Sequence, residues 1–438
     1  MNSPTADLNR EDLHASVSLP VMDTMNFLNE ITHRYREAIS FAPGRPYDGF
    51  FDVEQIFTYI RRYLDHLAAR GDSPAHIRDA IFQYGPTGGQ IRDLIAASLR
   101  EDENIDVPAE SIVVTLGCQE AMFLAIRALM AGRDDVLLLP SPCYVGITGA
   151  AHLLGVQIAA VHEREDGLSG DDVAAAVQEQ VAAGRRPRAV YVNPDHANPS
   201  GVTMSLRARR DLLEVAARHD LLILEDSPYR LVSTGRRLPT IKTLDRDRRV
   251  VHLGSFSKTV FPGARVGFAV ADQVVTDARG RTGLLADELV KIKSMLTVNT
   301  PSLSQAAIAG ALLESGGRVT DLTEKTAAYY SDTMRATLDC LDRVFPLDVR
   351  ERLGVSWNVP SGGFFLTLRV PFRADEAALA RSAEEYGVIW TPMSYFYPQG
   401  GDDHGIRLST SYLSPAEIEA GVSRLAEFVR SEIRRPGR

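Results

Sequence analysis

The chain is poor in lysine. Lys242, Lys258, Lys291, Lys293 and Lys325 are the only lysines among its 48 cationic side chains, and arginine supplies the rest. Cysteine is scarcer still: Cys118, Cys143 and Cys340 are odd in number and far apart, which argues against a disulfide framework or a cysteine-rich metal site. A reducing compartment, and hence the cytoplasm, is the expected location. No apolar run approaches the roughly 18 residues that span a bilayer, so no membrane partner is expected. The polar, acidic stretch from Met1 to Glu30 lacks the basic flank and apolar centre of a secretory signal. Long runs of like charge are also missing. With a net charge of −9 and no basic stripe, the chain is not expected to bind nucleic acid.

What is present is a globular composition over 438 residues, too long for one compact core, so two folded units are expected. Short apolar runs alternate with helical patterns through the middle of the chain. Strands are expected at Ser111–Thr115, Asp135–Leu139, Arg188–Asn193, Leu221–Asp226, Arg249–Ser255 and Arg265–Ala271, with helices from Gly117 and around Leu206 to His219. Such uniformly apolar strands need cover on both faces, which predicts a mostly parallel α/β sheet. Beyond about residue 305 a long helical stretch precedes strands at Gly362–Leu368 and Gly387–Thr391. A last helix opens on the capping box Ser414–Pro415–Ala416–Glu417 and aligns Ile418, Val422, Leu425, Val429 and Ile433. The expected organisation is an N-terminal arm over 1–60 that joins a smaller α+β unit, a large unit over 61–305, and the remainder of the small unit over 306–438.

One lysine stands in a distinctive setting, Gly254-Ser255-Phe256-Ser257-Lys258-Thr259, with Arg265 shortly after. A lysine amine becomes nucleophilic when burial or nearby cations lower its pKa, and can then form a Schiff base. Ser255, Ser257 and Arg265 can hold a phosphate beside it. That pairing points to pyridoxal phosphate. Other candidates fall just past expected strands, where open α/β sheets bind ligands. Gly117-Cys118-Gln119 begins a helix whose backbone N–H groups would receive a phosphate. Tyr144 offers a face for a planar ring. Asn198 and Tyr229 can reach a phenolate oxygen, and Asp226, once buried, can keep a pyridine nitrogen protonated. Each also has a plain structural reading, as a glycine turn, a packed tyrosine or an Asp-x-Pro-Tyr turn. Their occurrence in one order at crossover-sized intervals is what joins them.

Taken together, these motifs resemble the fold-type I, pyridoxal-phosphate-dependent aminotransferases of class I/II. The segments Phe82-Gln83-Tyr84-Gly85-Pro86-Thr87-Gly88-Gly89 and Arg407-Leu408-Ser409-Thr410-Ser411-Tyr412 are similar to the branch holding 2-aminoadipate, kynurenine and aromatic aminotransferases. The resemblance runs from about Phe41 to near the end of the chain. It implies a sheet of the seven-stranded type, with Lys258 as the Schiff-base lysine and proton carrier, Asp226 on the pyridine nitrogen, Asn198 and Tyr229 at the ring oxygen, and Tyr144 stacked on the ring. Ser255, Ser257, Arg265 and the Gly117, Cys118 and Gln119 amides would hold the phosphate. It further implies a homodimer with shared active sites, in which Tyr84 reaches the neighbouring subunit's phosphate. Arg407 would clamp a substrate α-carboxylate, and Arg45, in Ser40-Phe41-Ala42-Pro43-Gly44-Arg45-Pro46, would meet a substrate side chain.

Three departures bear on substrate and reaction. Cys118 stands where serine or threonine is usual. Asn193-Pro194-Asp195-His196-Ala197 puts Asp195 and His196 at the expected cofactor edge, where His196 is either an extra acid or base or a structural residue. Thr391-Pro392-Met393-Ser394-Tyr395-Phe396-Tyr397 brings aromatics to the expected side-chain pocket. The leading expectation is transfer of an amino group between a large amino acid, aromatic or of specialised metabolism and possible arylglycine type, and a 2-oxo acid. The alternatives are a pyridoxal-phosphate enzyme of β- or γ-replacement, C–C bond formation or oxidation, and a non-enzymatic effector-sensing domain. Against the last stand the negative charge and the short segment ahead of the fold.

Overall fold

The computed structural model describes residues 7–19, 22, 24, 27, 30–31 and 34–435. The rest of the expected N-terminal arm, and residues 436–438, lie outside the described residues.

The central sheet is built from eight strands: β1 Ile112–Thr115, β2 Asp135–Ser141, β3 Gln157–Arg164, β4 Gly167–Leu168, β5 Arg186–Val192, β6 Leu222–Asp226, β7 Val250–Ser255 and β8 Gly267–Val270. Their spatial order is β1-β8-β7-β6-β5-β2-β3-β4. The five strands from β7 to β3 run parallel, as the apolar runs predict. β8 is antiparallel to both its neighbours. The connection from Ser255 to Gly267 is too short for a crossover, so the chain must turn back beside the strand it has just left. Seven principal strands agree with the expected type, and the two-residue β4 adds an antiparallel edge. The pattern did not mark β3, because this outer strand mixes buried Ala159 and Val161 with exposed His162 and Arg164 and so lacks a continuous apolar run.

Side-chain alternation along the strands divides the core into two layers. Leu137, Leu139, Ala189, Tyr191, Leu224, Val251 and Leu253 face helices Gly117–Leu129 and Leu285–Leu296. Val136, Leu138, Val190, Val192, Ile223 and Val250 face helices Gly170–Ala182 and Leu206–Arg218. The second of these begins where the Ser205 hydroxyl accepts the Ala208 N–H at 3.1 Å, which satisfies an otherwise orphaned donor.

A second sheet is antiparallel, with Ser356–Trp357, Phe365–Arg369, Gly405–Ser409 and Thr391–Pro392 side by side. Helix Pro415–Arg434 covers it, starting at the capping box formed by Ser414 and Glu417. Ile418, Val422, Leu425 and Val429 are buried against the sheet, with Ile433 half-buried at the end. Ile39–Ser40 pairs in parallel with Val388–Ile389, and Ile31, Phe41 and Ala42 enter the same core. Residues 60 and 305, the expected boundaries, lie inside helices Val53–Ala69 and Ser302–Glu314. Helices Val53–Ala69 and Ser302–Glu314 pack with the large sheet, and the long helix Val319–Val344 joins that core at Val319 and the small one at Met334 and Leu341. Helical texture in the sequence marks where helices occur; which sheet they cover is a tertiary choice.

Candidate active site

A cavity of about 570 Å³ opens beyond the C-terminal ends of β2, β5, β6 and β7. Parallel strands all end there, so residues distant in sequence converge. Lys258 sits in the turn after β7 and its Nζ donates to the Gly44 carbonyl at 2.9 Å. The side chain is partly accessible, but its amine is desolvated. That burial, with the Arg265 cation second, pushes its pKa down to about 8 against the opposing pull of Asp226.

Asp226 ends β6 and is buried. Its Oδ2 accepts the Tyr191 hydroxyl at 2.7 Å and its Oδ1 accepts the Cys118 thiol at 3.2 Å. Burial raises the carboxyl pKa to about 6, and the Tyr191 and Cys118 hydrogen bonds limit that rise. Burial and the Asp226 charge lift both donors' pKa values well above normal, so they remain protonated and can donate. A Cys118 side-chain role was not expected, and Tyr191 was read only as a strand residue. Nothing in the sequence separates Tyr191 from a packed core aromatic; its tip must be seen against Asp226.

The phosphate-side candidates are held by one another. The Ser257 N–H donates to Ser255 Oγ at 3.2 Å, and Arg265 Nη1 donates to Ser257 Oγ at 3.3 Å. Arg265 has a left-handed backbone (φ 50°) that turns its guanidinium toward the start of helix Gly117–Leu129. Gly117 is required there: at φ +72°, a Cβ would stand 2.7 Å from Arg265 Nη2. Gly267 permits the other close approach, since its Cβ would meet the Cys118 N at 2.6 Å.

Across the cavity, Arg407 on strand Gly405–Ser409 is 3 % exposed. Its Nη1 donates to Asn198 Oδ1 at 2.9 Å and its Nη2 to Thr391 Oγ1 at 3.1 Å and to the Ala42 carbonyl. The guanidinium carbon lies 4.8 Å from the ring centres of both Phe365 and Phe396. Among the described residues no carboxylate pairs with it, and its buried Nε has no partner. Burial without a counter-anion lowers its pKa to about 10. Asn198 Nδ2 also faces the Tyr229 hydroxyl, at 3.4 Å, and burial raises the Tyr229 pKa.

Of the expected site residues, Lys258, Asp226, Tyr229, Cys118, Gln119, Tyr144, Asn198, Ser255, Ser257, Arg265, Arg407 and Arg45 line this one cavity. Gly117 borders it through the backbone beside Arg265. Tyr84 lies outside it and is 85 % exposed. Arg45 stacks on Tyr412, its guanidinium carbon 3.6 Å from the ring centre.

Two expectations are corrected. Asp195 and His196 do not reach the cavity: Asp195 is buried between Arg209 and Arg230, while His196 bonds Thr203 Oγ1 at 3.0 Å and packs on Gly362 and Gly363. A left-handed backbone at His196 (φ 53°) turns it away, and burial pushes its pKa down to about 4. Among the three aromatics of 395–397, only Phe396 lines the cavity; Tyr395 donates to Glu376 at 2.6 Å and Tyr397 to Asp402 at 3.4 Å. Met122 and Asn193 line it without having been singled out, and both polar side-chain atoms of Asn193 are unpartnered.

These residues fit a phosphorylated pyridine aldehyde. A desolvated amine, a buried carboxylate and a glycine-opened helix start beside Arg265 supply the three kinds of contact it needs.

Residues 61–425 match the family model described as aminotransferase class I and II. The chain is 47% identical to an (S)-3,5-dihydroxyphenylglycine transaminase of Amycolatopsis orientalis, over 99% of this chain and 97% of that one. It is 31% identical to a 2-aminoadipate transaminase of Thermus thermophilus, over 90% of each. A solved Pyrococcus horikoshii kynurenine aminotransferase superposes with a TM-score of 0.79 at 25% identity, covering 98% of both chains.

Proposed function

The chain belongs to the class I and II aminotransferases and uses pyridoxal phosphate, and from that premise we propose that it transaminates an arylglycine or similarly compact aromatic amino acid against a 2-oxo acid. The observation that carries this reading is the buried, anion-free Arg407 fork across one cavity from Lys258 and Asp226. A guanidinium in that state offers a carboxylate two parallel donors. Phe365 and Phe396 beside it, with Tyr144 opposite, favour a flat apolar side chain. Similarity to the dihydroxyphenylglycine enzyme supports the arylglycine class.

Bound pyridoxal phosphate supplies a carbonyl that condenses with amines and a ring that accepts electrons released at the substrate Cα. The residues of this chain do the rest. Lys258 Nζ, with its pKa near 8, is unprotonated often enough at neutral pH to act as a nucleophile and then to carry a proton from the substrate Cα. Asp226, ionised above about pH 6, would keep the pyridine nitrogen protonated, while Tyr191 and Cys118 fix both its oxygens. Asn198 and Tyr229 would hold the ring oxygen, and Tyr144 would offer its face to the ring. Ser255, Ser257, Arg265 and the amides from Gly117 to Gln119 would hold the phosphate. Arg407 orients the substrate by its α-carboxylate.

The reading extends to assembly as a homodimer. Tyr84 and Phe82 are exposed outside the cavity, near exposed Leu303, and the Ser302 hydroxyl joins their segment at 3.5 Å. A second copy covering this apolar patch would bring Tyr84 toward the neighbouring phosphate site. Arg45, with no carboxylate partner among the described residues, serves the distal end of a substrate. The two cores are read as two folded units, joined by helix Val319–Val344.

The test is a half-reaction: cofactor-loaded protein with a panel of amino acids and no 2-oxo acid, followed by absorbance and by the mass of the released cofactor. Conversion to pyridoxamine phosphate with arylglycines, faster than with 2-aminoadipate or kynurenine, is expected. Conversion only with acidic amino acids sinks the substrate assignment; product release with the aldehyde form regenerated sinks transamination.

A further inference from the structure

Two hydroxyls beside the active site are buried without a hydrogen-bond partner, Ser227 Oγ and Thr259 Oγ1. Their places in the chain are informative: Ser227 directly follows Asp226, and Thr259 directly follows Lys258. Both line one small chamber of about 30 Å³, separate from the active-site cavity, with Ser255 lining the two. Its remaining polar walls are Ser98, Asp102, Glu103 and His252. Three of these are anchored from behind, His252 Nδ1 by Glu225 Oε2 at 3.1 Å, Glu103 Oε2 by Arg230 Nε at 2.5 Å and Asp102 Oδ1 by the Thr320 hydroxyl at 2.6 Å.

A buried hydroxyl left unpaired is costly, and native structures rarely contain one without cause. Here two of them face a single space. A buried water needs roughly 10–15 Å³ of such space and two to four polar partners. The chamber has room for one or two waters, and seven polar side chains border it. Its apolar walls are Ile95, Leu99, Leu231, Phe256, Phe268 and Val319.

The chamber also lies where the backbone stops connecting the two catalytic elements. The last rung between β6 and β7 is the Ser227 N–H on the Leu253 carbonyl at 3.1 Å. Beyond it, Lys258 rides on a turn and Asp226 on a strand end. We propose that this chamber is an internal-water site, in which one or two waters bridge Ser227 and Thr259 and so hold the Lys258 turn in fixed relation to Asp226. Ser227 and Thr259 are then positioning residues: they act through their neighbours and touch neither substrate nor cofactor. The inference rests on the roles given above to Lys258 and Asp226.

The test uses Ser227→Ala, Thr259→Val, their double variant and Thr259→Ser, each with and without pyridoxal phosphate. Without cofactor, each single removal lowers the Tm by a few degrees, and the double variant loses less than the sum, because both hydroxyls serve one bridge. With cofactor, the pH at which the bound chromophore changes absorbance shifts in both single removals and returns to the parent value in Thr259→Ser. A Tm that rises in Thr259→Val, as when a methyl fills a dry chamber, overturns the proposal. So do additive losses with an unmoved absorbance profile. Lys258→Ala, measured alongside, separates the two readings. Parent-like absorbance in that variant defeats the active-site assignment itself, whereas its loss, with silent hydroxyl variants, defeats only the water bridge.

Discussion

Two buried clusters of charge lie close together in this molecule and are treated in opposite ways. Around Asp195, every charge has an answer: Arg209 Nη2 reaches Asp195 Oδ1 at 2.6 Å, Arg230 Nη1 reaches its Oδ2 at 3.5 Å, and Glu103 takes Arg230 Nε at 2.5 Å. Arg209 further donates to the carbonyls of Met204, Pro194 and Pro239. In the active-site cavity, by contrast, Arg407 has hydrogen bonds but no anion, and Lys258 has a carbonyl but no ion pair among the described residues. The first cluster is closed and holds the chain together. In the second neither cation has an ion pair among the described residues, and under the proposed function a carboxylate and a phosphate would supply the anions.

That contrast can be broken most severely at Lys258. Lys258→Ala removes both the nucleophile and the proton carrier, and kcat is expected to fall by more than about four orders of magnitude, with loss of the bound-cofactor absorbance. A coloured, active variant contradicts the assignment.

At Arg407, substitution by Ala should reduce kcat/KM by roughly 100-fold or more, the loss expected when one partner of a buried charge-assisted pair is removed. Because no protein carboxylate is orphaned, the thermal stability of the cofactor-free protein should hold or rise. A large fall in Tm would show that Arg407 is structural after all.

Asp195→Ala sharpens the comparison from the other side. It leaves Arg209 and Arg230 buried without their shared anion, and a loss of about 3–5 kcal/mol in unfolding free energy is expected. Protein that remains folded should keep its KM for the amino acid. Measured denaturant midpoints within error of the parent would contradict the closed-cluster reading.

The smallest effect is in pH. In cofactor-free protein, the rate of pyridoxal phosphate uptake should climb as pH rises through about 8, because Lys258 then loses its proton and becomes nucleophilic. It should drop below about pH 6, where Asp226 takes up a proton and ceases to be an anion. Stopped-flow absorbance across pH 5 to 9 tests both limbs, and a flat profile rejects the two shifts.

Much of this was legible from residue order. Lys258, Asp226 and Asn198 stand at or just past the ends of apolar strand runs, and a parallel sheet must bring such positions to one edge. Arg407 was different: only resemblance marked it, since an arginine on a C-terminal strand is ordinarily exposed. Tyr191 went unmarked because a strand tyrosine looks the same whether its hydroxyl meets a carboxylate or a solvent molecule. Asp195 and His196 were placed at the cofactor edge by their nearness to Asn198, and a single left-handed residue turned them away.

By itself, then, the amino-acid order determined that this chain makes a doubly covered, mostly parallel sheet and delivers an amine, a carboxylate and groups suited to a phosphate to its C-terminal edge. Strand and helix periodicity are local properties, and parallel pairing makes their consequences global. Only the tertiary structure decided which charges are neutralised and which stay open, because pairing depends on side chains distant in sequence meeting within about 3 Å. It also decided the desolvation that moves Lys258, Asp226 and Arg407 from their ordinary pKa values, since burial belongs to the packed whole rather than to any segment.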